Sequence, residues 1–160
     1  GKAIARRAHF GFGMEVVFYN RSVVPDPGIP SRQLDTLAGV MAAADVVVLA
    51  VPATPQTHHL IGAAEIAAMK PTAHLVNIAR GDVMDETALI DALERGAIAG
   101  AGLDVYEFEP TVPERLMRLE NAVLLPHLGT AALEVREAMG RMAVANARAV
   151  LEGRTPPNPV

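Results

Sequence analysis

Three side chains with complementary chemistry stand at Arg80, Glu109 and His127. Arg80 follows the apolar run "HLVNIA" at once and is followed by Gly81. A guanidinium can grip a carboxylate in a two-point fork. His127, in "LLPHLGT", can give or take a proton near neutral pH. A carboxylate such as Glu109 beside that histidine would favour its protonated form. Together the three could bind a 2-oxo acid and protonate its carbonyl oxygen as hydride arrives. Each also has a plain structural reading: an arginine closing a strand, a loop charge before Pro110, a turn residue after Pro126. Their arrival at one place is what would separate the two readings.

The elements around them predict such a place. "EVVFYN", "DVVVLAV", "AHLVNIA", "AIAGAGLDV" and "AVLLP" read as strands, and the nearly unbroken apolar runs indicate burial on both faces. Between them lie predicted helices at "GKAIARRAHF", "LDTLAGVMAAA", with Asp35 as N-cap or first-turn residue, "AAEIAAM", "DETALIDALERG" and, longest, around 131–152. Asp85 and Gly96 bound the fourth of these. "GFGM" should break the first helix, residues 21–33 should be an extended loop, and "RTPPNPV" an extended tail. Alternating helices and strands predict an α/β fold, a Rossmann-type doubly wound parallel sheet. Ligands of such sheets sit beyond the carboxyl ends of the strands. The residues to inspect are therefore Asn20–Arg21, Pro52, Arg80, Asp104 with its following loop, and His127.

Composition narrows the function classes. The 160 residues are 51% hydrophobic and carry a formal net charge of -4, with scattered arginines, so no basic face for nucleic acid is expected. There is no cysteine, which excludes disulfides and thiolate metal sites. No metal-ligand spacing is visible, and His58 and His59 are expected to face solvent, as are Arg6 and Arg7. Met117, Met139 and Met142 are expected to pack rather than form a functional stripe. No apolar run reaches the roughly 18 residues of a membrane span. The chain opens at Gly1 rather than Met, so the lack of a targeting segment carries little weight.

"LVNIARGDVMDETALIDALERGAIAGAGLDVYEFEP" followed by "NAVLLPHLGTAALEVREAM" closely resembles the D-isomer-specific 2-hydroxyacid dehydrogenases over nearly the whole chain. The resemblance implies that Arg80 anchors the substrate carboxylate and carbonyl, that His127 is the general acid/base, and that Glu109 pairs with it. It further implies cofactor contacts from Val51, Pro52, Thr57, Ile78, Ala79 and Arg80, from Asp104 toward the nicotinamide carboxamide, and from His127, Gly129 and Thr130 near that ring. The closing "NARAVLEGRTPPNPV" is similar to the glyoxylate and hydroxypyruvate reductase branch. A cytoplasmic homodimer joined through the cofactor domain is implied by the same resemblance.

Cofactor choice can be argued from residues. Gly1 fits the third glycine of a dinucleotide fingerprint. The acidic residue that grips the adenosine ribose should stand about 20 residues after that fingerprint. Asn20 occupies the position, followed by Arg21 and Ser22. A neutral amide with an arginine and a hydroxyl would accept a 2′-phosphate that a carboxylate would repel, so NADP is expected over NAD, with NAD possible if Arg21 merely stacks on adenine.

The first strand of the sheet and the first two fingerprint glycines have no counterpart here. Residues 1–130 are accordingly expected to be an incomplete dinucleotide-binding domain, and 131–160 a helix and tail returning toward a substrate domain outside the sequence. Such a piece is expected to be inactive by itself. Three other readings compete with a 2-oxo acid reductase. Formate dehydrogenases carry glutamine where Glu109 stands, which argues against them. A phosphite dehydrogenase keeps the same three residues. A dinucleotide-sensing corepressor could share the scaffold.

Overall fold

The computed structural model describes residues 1–159. These fall into two compact units, Gly1–Pro126 and the residues from His127 onward, so the division lies within the "PH" dipeptide.

In the first unit the apolar runs become short parallel strands. β3 (Val46–Leu49), β4 (His74–Asn77), β5 (Gly100–Leu103) and β6 (Ala122–Leu124) form one parallel sheet in that order. Leu49, Asn77, Leu103 and Leu124 share the last rung. The chain therefore leaves every strand at the same edge, at Ala50, Ile78, Asp104 and Leu125. β1 (Val17–Phe18) pairs with β2 (Arg32–Gln33) in a separate two-stranded parallel sheet. The six parallel strands thus lie in two sheets, one of two strands and one of four. β2 corrects the expectation that residues 21–33 are all loop. Its two polar residues carry no apolar signal, and backbone pairing alone defines it, with Arg32 N–H donating to Val16 O at 3.0 Å and Leu34 N–H to Phe18 O at 2.8 Å.

Helices cover the sheet through residues such as Met41, Ile66, Leu89, Ile90 and Leu116, which join Leu75, Leu103 and Ile98 in the core. α4 (Glu86–Glu94) is the clearest. Asp85 caps it by accepting the Ala88 N–H at 2.9 Å, a contact worth about 1 kcal/mol. Left-handed Gly96, φ 62°, follows its end. α2 (Leu37–Ala43) begins one residue later than an Asp35 cap requires, because Thr36 Oγ1 takes the Gly39 N–H at 3.0 Å. α1 (Lys2–Phe12) runs through Gly11 and stops at Gly13, whose φ of 65° needs the missing Cβ. The "GFGM" break therefore acts at its second glycine. α3 (Ala63–Ala67) and α5 (Glu114–Met117) are short.

The second unit consists of a turn and α6 (Leu133–Leu151). Its tail is held rather than freely extended: Asn158 N–H donates to Asn146 Oδ1 at 2.9 Å, and the Asn146 amide returns a bond to Asn158 Oδ1 at 3.3 Å. Met139 and Met142 on α6, like Met117 on α5, are more than half exposed. This corrects their expected packing role, since the described residues place no neighbouring layer over them.

Candidate active site

Arg80 owes its place to a polar residue inside a buried strand. Asn77 ends β4 with no solvent exposure. Its amide donates to Arg80 O at 2.9 Å, and its Oδ1 accepts the Ala79 N–H at 3.0 Å. One side chain thus satisfies both the donor and the acceptor of the turn that must leave the sheet. The Asn77 carbonyl takes the Asp104 N–H at 3.0 Å, tying that turn to the exit of β5. Arg80 itself is exposed and extended, φ −148° and ψ 152°, with one guanidinium N–H on Ala79 O at 2.7 Å.

Gly81 closes the turn. A Cβ there would lie 1.9 Å from the Tyr106 carbonyl carbon and 2.3 Å from Glu107 N. The expectation that this glycine lets a ligand or a turn pack closely is met by the turn: the β5 connector lies against it.

That connector carries Glu109. The Tyr106 N–H donates to Glu109 Oε1 at 3.0 Å, and the Glu109–Pro110 peptide is cis. The Tyr106 hydroxyl donates to Leu125 O at 2.8 Å, which fixes the exit of β6 two residues before His127 in sequence. Burial pushes the Tyr106 phenol above its usual pKa, reinforced by the charge of Asp104 and opposed by the Leu125 bond. Asp104 is itself buried at 8% exposure. His127 opens the second unit with φ 55°, a left-handed conformation uncommon outside glycine and concentrated at functional positions. Gly129 and Thr130 follow it, and Thr130 O accepts from Arg136 Nε at 3.2 Å.

The residues expected on the cofactor side lie at the start of α1 and in the segments that follow β1, β3, β4 and β5. Gly1 is the N-cap residue of α1, and a Cβ added to it would lie 3.8 Å from Ala50 Cβ, next in sequence to Val51 and Pro52. Thr57 is committed within its own loop, donating to Pro52 O at 2.7 Å and accepting the Thr54 N–H at 2.8 Å. Ile78 is exposed and Ala79 buried. Asn20, Arg21 and Ser22 are exposed after β1. Asn20 Nδ2 bonds Ser22 O at 2.9 Å, and Gln33 on β2 bonds Ser22 O at 3.0 Å and Val24 N at 2.9 Å. Gln33 shapes this loop from a strand that the sequence pattern did not reveal.

Two further groups were missed by pattern. Glu86, 4% exposed at the start of α4, accepts from Glu107 N at 3.4 Å. Burial raises its pKa, the Glu107 charge adds to the rise, and the backbone bond opposes it. His59 lies within 2.8 Å of Glu107 Oε1, so it is not simply solvent-facing. Ring nitrogens of His58 and His59 and a Glu107 oxygen lie within 4.8 Å of one another, a grouping hidden by the distance of Glu107 along the chain.

Residues 1–129 match the family model of the D-isomer specific 2-hydroxyacid dehydrogenase, NAD binding domain, and the chain belongs to that family. Among its relatives is the glyoxylate reductase of Thermococcus gammatolerans, 48% identical over 98% of this chain and 47% of that protein. The glyoxylate/hydroxypyruvate reductase B of Citrobacter koseri is 46% identical over 99% of this chain and 49% of its own length. A crystal structure of an NADPH-dependent glyoxylate/hydroxypyruvate reductase from Sinorhizobium meliloti, in complex with NADP and malonate, superposes with a TM-score of 0.94 at 39% identity, over 99% of this chain and 49% of that one. The chain thus spans about half the length of these relatives.

Proposed function

We infer that the full-length protein is an oxidoreductase that reduces a small 2-oxo acid with NADPH, glyoxylate to glycolate or hydroxypyruvate to D-glycerate. The single observation that carries this reading is the shared exit edge of β4, β5 and β6, which leads the chain to Arg80, to Glu109 and toward His127. It is supported by relatives named for glyoxylate and hydroxypyruvate reduction.

In this reading a bound dihydronicotinamide supplies the hydride for the carbonyl carbon. Arg80 holds the substrate carboxylate and carbonyl in its fork. His127 gives its proton to the carbonyl oxygen, and Glu109 favours the protonated imidazole. Gly1 at the start of α1 and the strand exits at Val51–Pro52, Ile78–Ala79 and Asp104 would hold the dinucleotide, as sheets of this kind do beyond their strand ends. NADP is preferred because Asn20, Arg21 and Ser22 offer an amide, a guanidinium and a hydroxyl with no carboxylate among them. The remaining proposals are a second domain outside this sequence, a homodimer through the cofactor domain, and a cytoplasmic location. No helix among the described residues is long and apolar enough to cross a membrane.

The test is oxidation of NADPH and NADH by the purified full-length protein with glyoxylate, hydroxypyruvate, pyruvate and phosphite. Turnover should be fastest with glyoxylate or hydroxypyruvate, with kcat/KM favouring NADPH. His127→Ala should lower kcat by roughly 10²–10⁴-fold. Phosphite oxidation in place of 2-oxo acid reduction, or dinucleotide binding with no turnover, would replace this reading with one of its rivals.

A further inference from the structure

The sequence predicts a solvent-facing His59, and the proposed reaction assigns it no role. Its surroundings are more constrained than that. It has φ 48°, in the left-handed region. Its N–H donates to Asp82 O at 2.8 Å. Beside it, Ile61 N–H donates to Val83 O at 3.1 Å and Asp85 N–H to Ile61 O at 3.0 Å. The exit loop of β3 is thereby laced to the turn that carries Arg80.

From that lace the His59 ring reaches a third loop. Its Nε2 lies 2.8 Å from Glu107 Oε1, and the Glu107 side chain is 14% exposed. An exposed ion pair would contribute little, but a mostly buried carboxylate needs a partner. Glu107 also donates its N–H to Glu86, packs its backbone against Gly81, and stands two residues before Glu109. The Tyr106 N–H, next to it, holds the Glu109 carboxylate.

We propose that His59 and Glu107 form a brace between the exits of β3, β4 and β5 that fixes Glu109 relative to Arg80. Both are positioning residues, and their kinetic role rests on the reductase reading above. The brace itself does not.

Its test uses the full-length protein with three substitutions. His59→Asn tolerates a left-handed backbone but is too short to reach Glu107. Glu107→Ala removes the acceptor, and Glu107→Gln retains one. Amide hydrogen exchange at Tyr106 and Glu107 should accelerate at least about tenfold in the first two, with Leu75 and Leu103 unchanged as core controls. The kcat for the 2-oxo acid should fall about 10–100-fold, since small misplacements of reacting groups are costly, while KM for NADPH stays within about twofold. Glu107→Gln should restore both readouts to near wild type. Unchanged exchange at Tyr106 and Glu107 overturns the brace whatever the turnover. So does acceleration shared by Leu75 and Leu103, which marks general destabilisation. Faster exchange with wild-type kcat in an active enzyme overturns the positioning role. If the wild-type protein reduces no 2-oxo acid, the reductase reading fails, and exchange alone decides the brace.

Discussion

Replacing Asn77 with Ala should loosen the turn that presents Arg80, and the structure sets the size of the effect. The substitution deletes two hydrogen bonds, to Ala79 N–H at 3.0 Å and Arg80 O at 2.9 Å. Ala79 is 8% exposed, so its stranded N–H costs about 1–3 kcal/mol. The carbonyl of exposed Arg80 can be rehydrated, and its loss is nearer the net value of about 0.5–1.5 kcal/mol. The sum is about 1.5–4.5 kcal/mol, a large part of a typical domain stability of about 5–15 kcal/mol. With an m-value of about 2 kcal/mol/M, the urea midpoint of the cofactor-domain transition should fall by about 1–2 M. Because Arg80 would lose its fixed start point, kcat/KM for the 2-oxo acid should fall about tenfold or more. Asn77→Asp should make the same turn sensitive to pH. Its carboxylate would keep the Ala79 N–H but face the Arg80 carbonyl, whereas its protonated form could donate to that carbonyl. Its folded-state pKa would be raised, so stability should be higher at pH 5 than at pH 7. A midpoint within about 0.3 M of wild type for Asn77→Ala, with unchanged kcat/KM, would refute the claim that Asn77 builds this turn.

Tyr106→Phe removes the hydroxyl that bonds Leu125 O at 2.8 Å and should cost about 0.5–1.5 kcal/mol, measured as a lower Tm of the full-length protein. Glu86→Gln probes a pH linkage. The Glu86 pKa is raised by burial and by Glu107, so its neutral form is favoured in the fold, and the stability it contributes below the unfolded carboxyl pKa is lost as pH rises through the folded value. The glutamine keeps an oxygen for Glu107 N–H, and its advantage in Tm over wild type should grow from pH 4 to pH 7. A difference that is constant with pH would show that the burial of this carboxyl has no thermodynamic consequence.

What the sequence made legible follows from how each signal arises. Buried parallel strands must be apolar runs, so β3, β4, β5 and β6 stood out, and with them the exit that ends in Arg80. Asp85 and Gly96 mark α4 because capping chemistry is local. β2 was illegible because two polar residues are strand only by virtue of their partner. Thr36 displaced Asp35 as a cap through geometry that one residue of shift decides. The polar framework of the site was the larger omission. Asn77 lies within an apolar run, and its burial is a property of the sheet. His59, Glu86 and Glu107 meet only when three strand exits converge. Arg80, Glu109 and His127 could be found by residue type and resemblance. The groups that hold the first two in place are recognisable only from distances.

The most direct test of the proposed reaction follows the hydride. The full-length protein would be given hydroxypyruvate and NADPH carrying deuterium at the transferable position of the nicotinamide, and the product analysed for label and chirality. The account predicts one deuterium at C2 of D-glycerate for each cofactor oxidised, and loss of labelled product in His127→Ala. Cofactor oxidation without label at C2, or label in the L-enantiomer, would contradict it.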